Sequence, residues 1–258
     1  MLAAATFVRL ERAVSGGQSW EVDRRMWADQ IDVFAARFRV LTYDLRGFGQ
    51  SASPESEVPY THADDLHALL DHLGIERAAV IGLSLGGRIA EEFALTYPDS
   101  LSALVLVDAA LGGHQFSAAF MPTLGALFEG AREGRLAEAK AGWMAAPLFA
   151  QSRTSPDVAA RLGQMVDEHT GWGLQNPDPH LAMSPPTRDR LSEITAPTLV
   201  IVGEHDLPDF HAVADILAAE IPGAQKVVLP GAGHMANMDA PEAFNEAVLG
   251  FLRDTLKD

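Results

Sequence analysis

Short apolar runs alternate with amphipathic stretches along most of the chain, and this alternation sets the expected elements. Val40-Leu41-Thr42-Tyr43 is a β-prone run closed by the turn glycines Gly47 and Gly49. Thr61 to Leu73 predicts a helix: Thr61 and Asp64 have capping-box spacing, Leu66, Leu69, Leu70 and Leu73 share a face, and Gly74 stops it. Ala78 to Leu83 reads as a buried strand, Ile89 to Tyr97 as a helix ended by Pro98, and Ala103 to Val107 as the next strand. Strand Thr198 to Val202 enters through Pro197. A helix over about Ala212 to Glu220, a strand from Lys226 to Leu229 and a helix from Pro241 to Leu256 complete the pattern.

Strands alternating with helices imply an α/β fold, a mostly parallel sheet with helices on both faces. The alternation breaks between Leu111 and Arg190. That block is wholly helical (Phe120 to Gly130, Arg135 to Trp143, Pro156 to His169) and leaves through the proline-rich Asn176 to Pro186. The expected division is therefore a core of residues 1–110 and 191–258 carrying a helical insertion over 111–190.

Composition narrows the classes. Lys and Arg number 19 against 35 Asp and Glu, a net charge of −16, which disfavours binding to nucleic acid or an anionic membrane. There is no cysteine, so disulfides and thiolate metal sites are excluded. The first residues lack a basic leader and no apolar run reaches the ~18 residues of a membrane span, so a cytoplasmic location is expected.

Gly82-Leu83-Ser84-Leu85-Gly86-Gly87 joins an apolar strand to a helix, the order strand, G-x-S-x-G, helix. Such a nucleophile needs a serine on a sharp turn, glycines for clearance, and the helix N-terminus to favour negative charge, with the Leu85 amide as oxyanion donor. A serine hydroxyl also needs a base, itself oriented by an acid. Asp206 follows the strand ending at Val202, and His234 follows the one ending at Leu229, giving the order Ser84, Asp206, His234. Asp108, which ends another strand, is the alternative acid.

Other patterns carry less. Gly47-Phe48-Gly49-Gln50-Ser51-Ala52 fits a dinucleotide fingerprint on paper, but Pro54 and Pro59 forbid the helix it must open. His62, His67 and His72 recur every five residues, roughly 140° apart on a helix, and cannot share a metal. Trp143, Phe149, Met165 and Trp172 are candidates either for lining an apolar acyl pocket or for simple packing.

From Arg39 onward the chain resembles the α/β-hydrolase superfamily, most closely its small capped esterases and lactonases, including 3-oxoadipate enol-lactonases. The matching stretches are Tyr43 to Ser51, Gly82 to Gly87, Gly203 to Asp206 and Gly231 to His234. The resemblance implies a hydrolase without a cofactor or metal, an acyl-serine intermediate, a small-molecule ester or lactone substrate, and a cap formed by the insertion. Within that fold, C–C bond hydrolysis and perhydrolysis are alternatives. Homo-oligomer formation stays open.

The family pattern has a buried strand ending in His-Gly before the Asp44-Leu45-Arg46 segment, and residues 1–40 contain no His-Gly. Thr6 to Val14, with three charges, suits a half-exposed antiparallel strand, so on the order of ten residues, a strand and a turn, are missing or altered. Either this strand moves into the central slot, with Gly16-Gly17 replacing His-Gly and the Gln18 amide completing the oxyanion hole, or a gap of ~4.8 Å opens. The departure motivates a contrasting expectation, a non-catalytic ligand-binding protein on a hydrolase fold.

Overall fold

The computed structural model describes residues 3–9, 12–17, 22–55 and 57–256, with side chains from residue 22 onward. Its sheet has seven strands: β1 (Ala3–Arg9), β2 (Arg12–Gly17), β3 (Arg39–Asp44), β4 (Ala78–Leu83), β5 (Leu101–Val107), β6 (Thr198–Gly203) and β7 (Gln225–Leu229). The order is β1-β3-β2-β4-β5-β6-β7, with β1 also pairing to β2 and β4. β1 runs antiparallel to β2, β3 and β4, while the pairings among β2 to β7 are all parallel.

The expected single strand over Thr6 to Val14 is corrected. The chain forms a hairpin there, with Arg9 opposite Arg12, and the second arm occupies the slot beside β4. Ser15, Gly16 and Gly17 align with Val80, Ile81 and Gly82. The slot is filled, so no gap one strand wide opens.

Alternation along β4 divides the core. Ala79, Ile81 and Leu83 face one apolar layer, with Trp27, Phe34 and Phe244, while Ala78 and Val80 face another, with Leu66, Leu70, Phe93 and Leu217. All six residues of β4 and all six of β6 are buried, which explains their unbroken apolar sequence. β7 lies at the edge and has exposed positions, in keeping with Gln225 and Lys226.

The crossovers are α1 (Ala28–Ala35), α2 (His62–His72), α3 (Leu85–Thr96) and, between β6 and β7, α8 (Pro208–Glu220), while α9 (Ala236–Asp239) and α10 (Pro241–Thr255) follow the last strand. Thr61 caps α2 by accepting the Asp64 N–H at 3.0 Å. Between β5 and β6 the described chain is helical: α4 (Met121–Arg132), α5 (Leu136–Met144), α6 (Pro156–Glu168) and α7 (Trp172–Gln175). Trp143, Phe149 and Met165 are at most 2% exposed and merge with the core on the Trp27 side of the sheet, which makes Trp143 and Phe149 packing residues. No helix among the described residues is long and apolar enough to cross a membrane.

Candidate active site

The turn between β4 and α3 explains its own glycines. Ser84 has φ 56° and ψ −116°, a conformation that costs an L-residue free energy and recurs at functional turns. A Cβ on Gly82 would sit 2.1 Å from the Gly86 carbonyl oxygen, and one on Gly87 would sit 2.4 Å from the Ala109 Cβ. Only glycine allows these approaches. Ser84 N–H donates to Val107 O at 2.9 Å, and Ala110 N–H donates to Ser84 O at 2.9 Å. The turn is thus clamped to the end of β5. Leu85 opens α3, so its amide belongs to the first turn, where N–H groups have no acceptor within the helix.

Asp206 and His234 meet although they are 28 residues apart: His234 Nδ1 lies 2.9 Å from Asp206 Oδ2, and both side chains are wholly closed to solvent. A carboxylate opposite Nδ1 places the ring hydrogen there and leaves Nε2 as the basic nitrogen. Nε2 is buried and has no hydrogen-bond partner, and no bond joins it to Ser84 Oγ in this structure. The other Asp206 oxygen accepts the Leu207 N–H at 2.7 Å. The Phe210 ring packs against the imidazole, centroids 4.3 Å apart.

Asp108 joins this pair. One atom each from Asp108, Asp206 and His234 lies within 4.8 Å of the others, a spacing that also suits a cation; here Nδ1 and Oδ2 are engaged with each other. The carboxylate that accepts the imidazole Nδ1–H is that of Asp206, not Asp108. Gln18, expected as the second oxyanion donor, lies outside the described residues.

Residues that sequence reasoning missed hold the His234 loop. Gln151, from the insertion, donates its Nε2–H to Gly231 O at 2.8 Å, and Asp239 accepts the Gly233 N–H at 2.9 Å. Burial pushes the Asp239 carboxyl above its ordinary range. No local pattern marks Gln151, whose partner is 80 residues away.

Between the insertion and the core lies an apolar cavity of about 530 Å³, lined by Phe120, Thr123, Leu148, Leu207 and Pro208 among others. Phe120 packs on Phe210 at 5.7 Å, which ties the cavity wall to the His234 ring. Trp143 and Phe149 do not line it. The Gly47–Ser51 turn wraps the Asp44 carboxylate, which accepts the Arg24 and Gln50 backbone N–H groups at 2.9 and 3.0 Å. No helix opens there, so the dinucleotide pattern is a tight turn.

Residues 16–241 match the family model for the alpha/beta hydrolase fold. The chain belongs to the α/β-hydrolase family. It is 35% identical to a 2-hydroxy-6-oxononadienedioate/2-hydroxy-6-oxononatrienedioate hydrolase of Cupriavidus pinatubonensis, over 96% of this chain and 87% of the relative. It is 30% identical to 3-oxoadipate enol-lactonase 2 of Acinetobacter baylyi, over 95% of this chain and 90% of the relative. Among solved structures, a thermophilic esterase from Thermogutta terrifontis superposes with a TM-score of 0.78 at 27% identity, covering 99% of this chain and 94% of the esterase.

Proposed function

We propose that this α/β-hydrolase cleaves a small carboxylic ester or lactone through an acyl-serine intermediate. The observation that carries the reading is the buried His234–Asp206 pair with Nε2 left bare, in a chain whose Ser84 sits on a strained strand-to-helix turn. In this reaction His234 Nε2 takes the Ser84 hydroxyl proton as Oγ attacks the carbonyl carbon, and Asp206 holds the Nδ1–H tautomer and stabilises the imidazolium. The Leu85 N–H faces the developing oxyanion, with the Gln18 amide as its partner; one such donor is worth about 10²–10³ in kcat. The imidazolium returns its proton to the leaving alkoxide. Water, activated by the same Nε2, then releases the acid and restores Ser84.

The helical insertion acts as a cap over this centre. The 530 Å³ cavity falls in the range of small-ligand sites and is linked to His234 through Phe120 and Phe210, not lined by the three catalytic side chains, so it would take a modest hydrocarbon group of the substrate and not the reacting carbonyl. Localisation in the cytoplasm and binding of a small molecule, not a polymer, complete the proposal.

The 35% identity to a hydrolase of a 2-hydroxy-6-oxo dienedioate favours a second reading. A substrate of that kind offers a ketone in place of an ester carbonyl: in its keto form Ser84 Oγ adds to that carbon, the adjacent C–C bond breaks with its electron pair delocalised into the 2-oxo acid part, and the His234 imidazolium protonates the departing carbon. Parallel kinetics with short-chain esters, lactones and a 2-hydroxy-6-oxo dienoate, with Ser84→Ala as blank, separate the two. Faster Ser84-dependent turnover of esters or lactones supports the first reading, and turnover confined to the dienoate replaces it with the second.

A further inference from the structure

Among the described residues, two that are not glycine have positive φ: Ser84, and Asp108 at φ 41°. Asp108 is fully buried at the end of β5. Its backbone N–H donates to Ile201 O at 2.8 Å, and its Oδ1 accepts the Gly203 N–H at 2.7 Å. With Val107 and Ala110 both bonded to Ser84, the Asp108 segment bridges the nucleophile turn and the strand that carries Asp206. Such strain persists only where the surroundings over-determine it.

Two buried carboxylates this close cannot both ionise cheaply. Their partners decide which one keeps its charge. Asp206 accepts two hydrogen bonds, from His234 Nδ1 and Leu207 N–H. Asp108 accepts one, and its Oδ2 is buried without a donor. The titratable groups facing Asp108 are Asp206, Asp239 and His234, so two of the three are acids.

We infer that Asp108 is a positioning residue that keeps a hydrogen on Oδ2 and donates it to the Asp206 carboxylate, fixing the orientation in which Asp206 meets His234 and drawing off part of its charge. Burial, then the neighbouring Asp206 charge, push the Asp108 carboxyl well above its ordinary range, which agrees. The inference rests on the proposed roles of Ser84, His234 and Asp206.

The test compares Asp108→Asn, which keeps a donor and an acceptor, with Asp108→Gly, which suits the positive φ but removes the donor. The readout is the rate at which a fluorophosphonate labels Ser84, followed by intact mass. Asp108→Gly is expected to label about tenfold or more slowly, the worth of a hydrogen bond to a charged group. Asp108→Asn should label faster than Asp108→Gly. A loss in Asp108→Asn equal to that in Asp108→Gly overturns the inference. Infrared spectra at neutral pH supply a readout independent of activity: the carbonyl band of a protonated carboxyl, present in the native protein, should vanish in Asp108→Asn. If no such band is lost, the inference fails. If the native protein is not labelled at all, the Ser84 reading fails instead, and the infrared band still decides the Asp108 hydrogen.

Discussion

His234 Nδ1 and Asp206 Oδ2 stand 2.9 Å apart with no solvent access to either side chain, so the imidazole has one orientation and one tautomer. Replacing Asp206 by Asn puts an amide where a carboxylate accepts the ring hydrogen and favours the wrong tautomer. Asp206→Asn is expected to lower kcat by about 10³–10⁴ while leaving KM within a few-fold. Steady-state kinetics on the best ester or lactone check this; a loss seen mainly in KM argues that Asp206 serves binding instead.

The glycines divide into those the site needs and those it does not. A Cβ on Gly82 meets backbone at 2.1 Å, whereas a Cβ on Gly163, inside α6, meets nothing within 4 Å. Gly82→Ala should destabilise the protein by about 1–3 kcal/mol through overpacking and also depress reaction at Ser84. Gly163→Ala should stabilise it by about 0.5–1 kcal/mol. Denaturant titrations give both numbers, and equal effects would contradict the contrast.

Glu91 is fully buried in α3, and burial pushes its carboxyl well above the ordinary range. A raised folded-state pKa means that stability is full when the group is protonated in both states and falls as pH rises through the folded value. Glu91→Gln should therefore raise Tm at neutral pH, and the gain should shrink towards about pH 4. A gain that is the same at both pH values would contradict this origin.

The opposite sign applies to a buried histidine pair. His62 and His180 stack with ring centres 4.9 Å apart, and burial holds both below the ordinary histidine range. Arg46, Arg88, Asp65, Asp178 and Glu92 are the charged groups that act on them. Lowered folded-state values make the unfolded chain bind more protons, so this contribution is intact above about pH 6.5 and lost as pH falls below it. His62→Phe should lose less stability than the native chain between pH 8 and pH 5, measured by urea midpoints.

Much of this is legible in the sequence for physical reasons. Central strands buried on both faces need unbroken apolar runs, and Ala78 to Leu83 and Thr198 to Val202 have them. The loops bearing Ser84 and Asp206 follow such runs and the His234 loop follows the edge strand Gln225–Leu229, so their arrival at one end of the sheet follows from parallel topology. Which part of the first hairpin-like stretch enters the sheet beside β4 is not legible, because Arg12 gives its second strand the look of an exposed edge. The choice between Asp108 and Asp206 is also hidden, since both follow strands and only the fold shows which meets Nδ1. Nor does an aromatic on an amphipathic helix declare its face: Trp143 and Phe149 pack inward, while Phe120 lines the cavity.

The central claim is that Ser84 is a nucleophile activated by His234. Intact-mass analysis after exposure to a fluorophosphonate, run beside Ser84→Ala and His234→Ala, tests it without knowledge of the substrate. The account predicts one adduct on the native protein, none on Ser84→Ala, and labelling slowed by orders of magnitude on His234→Ala. A folded native protein that forms no adduct would contradict it and favour a ligand-binding role on this fold.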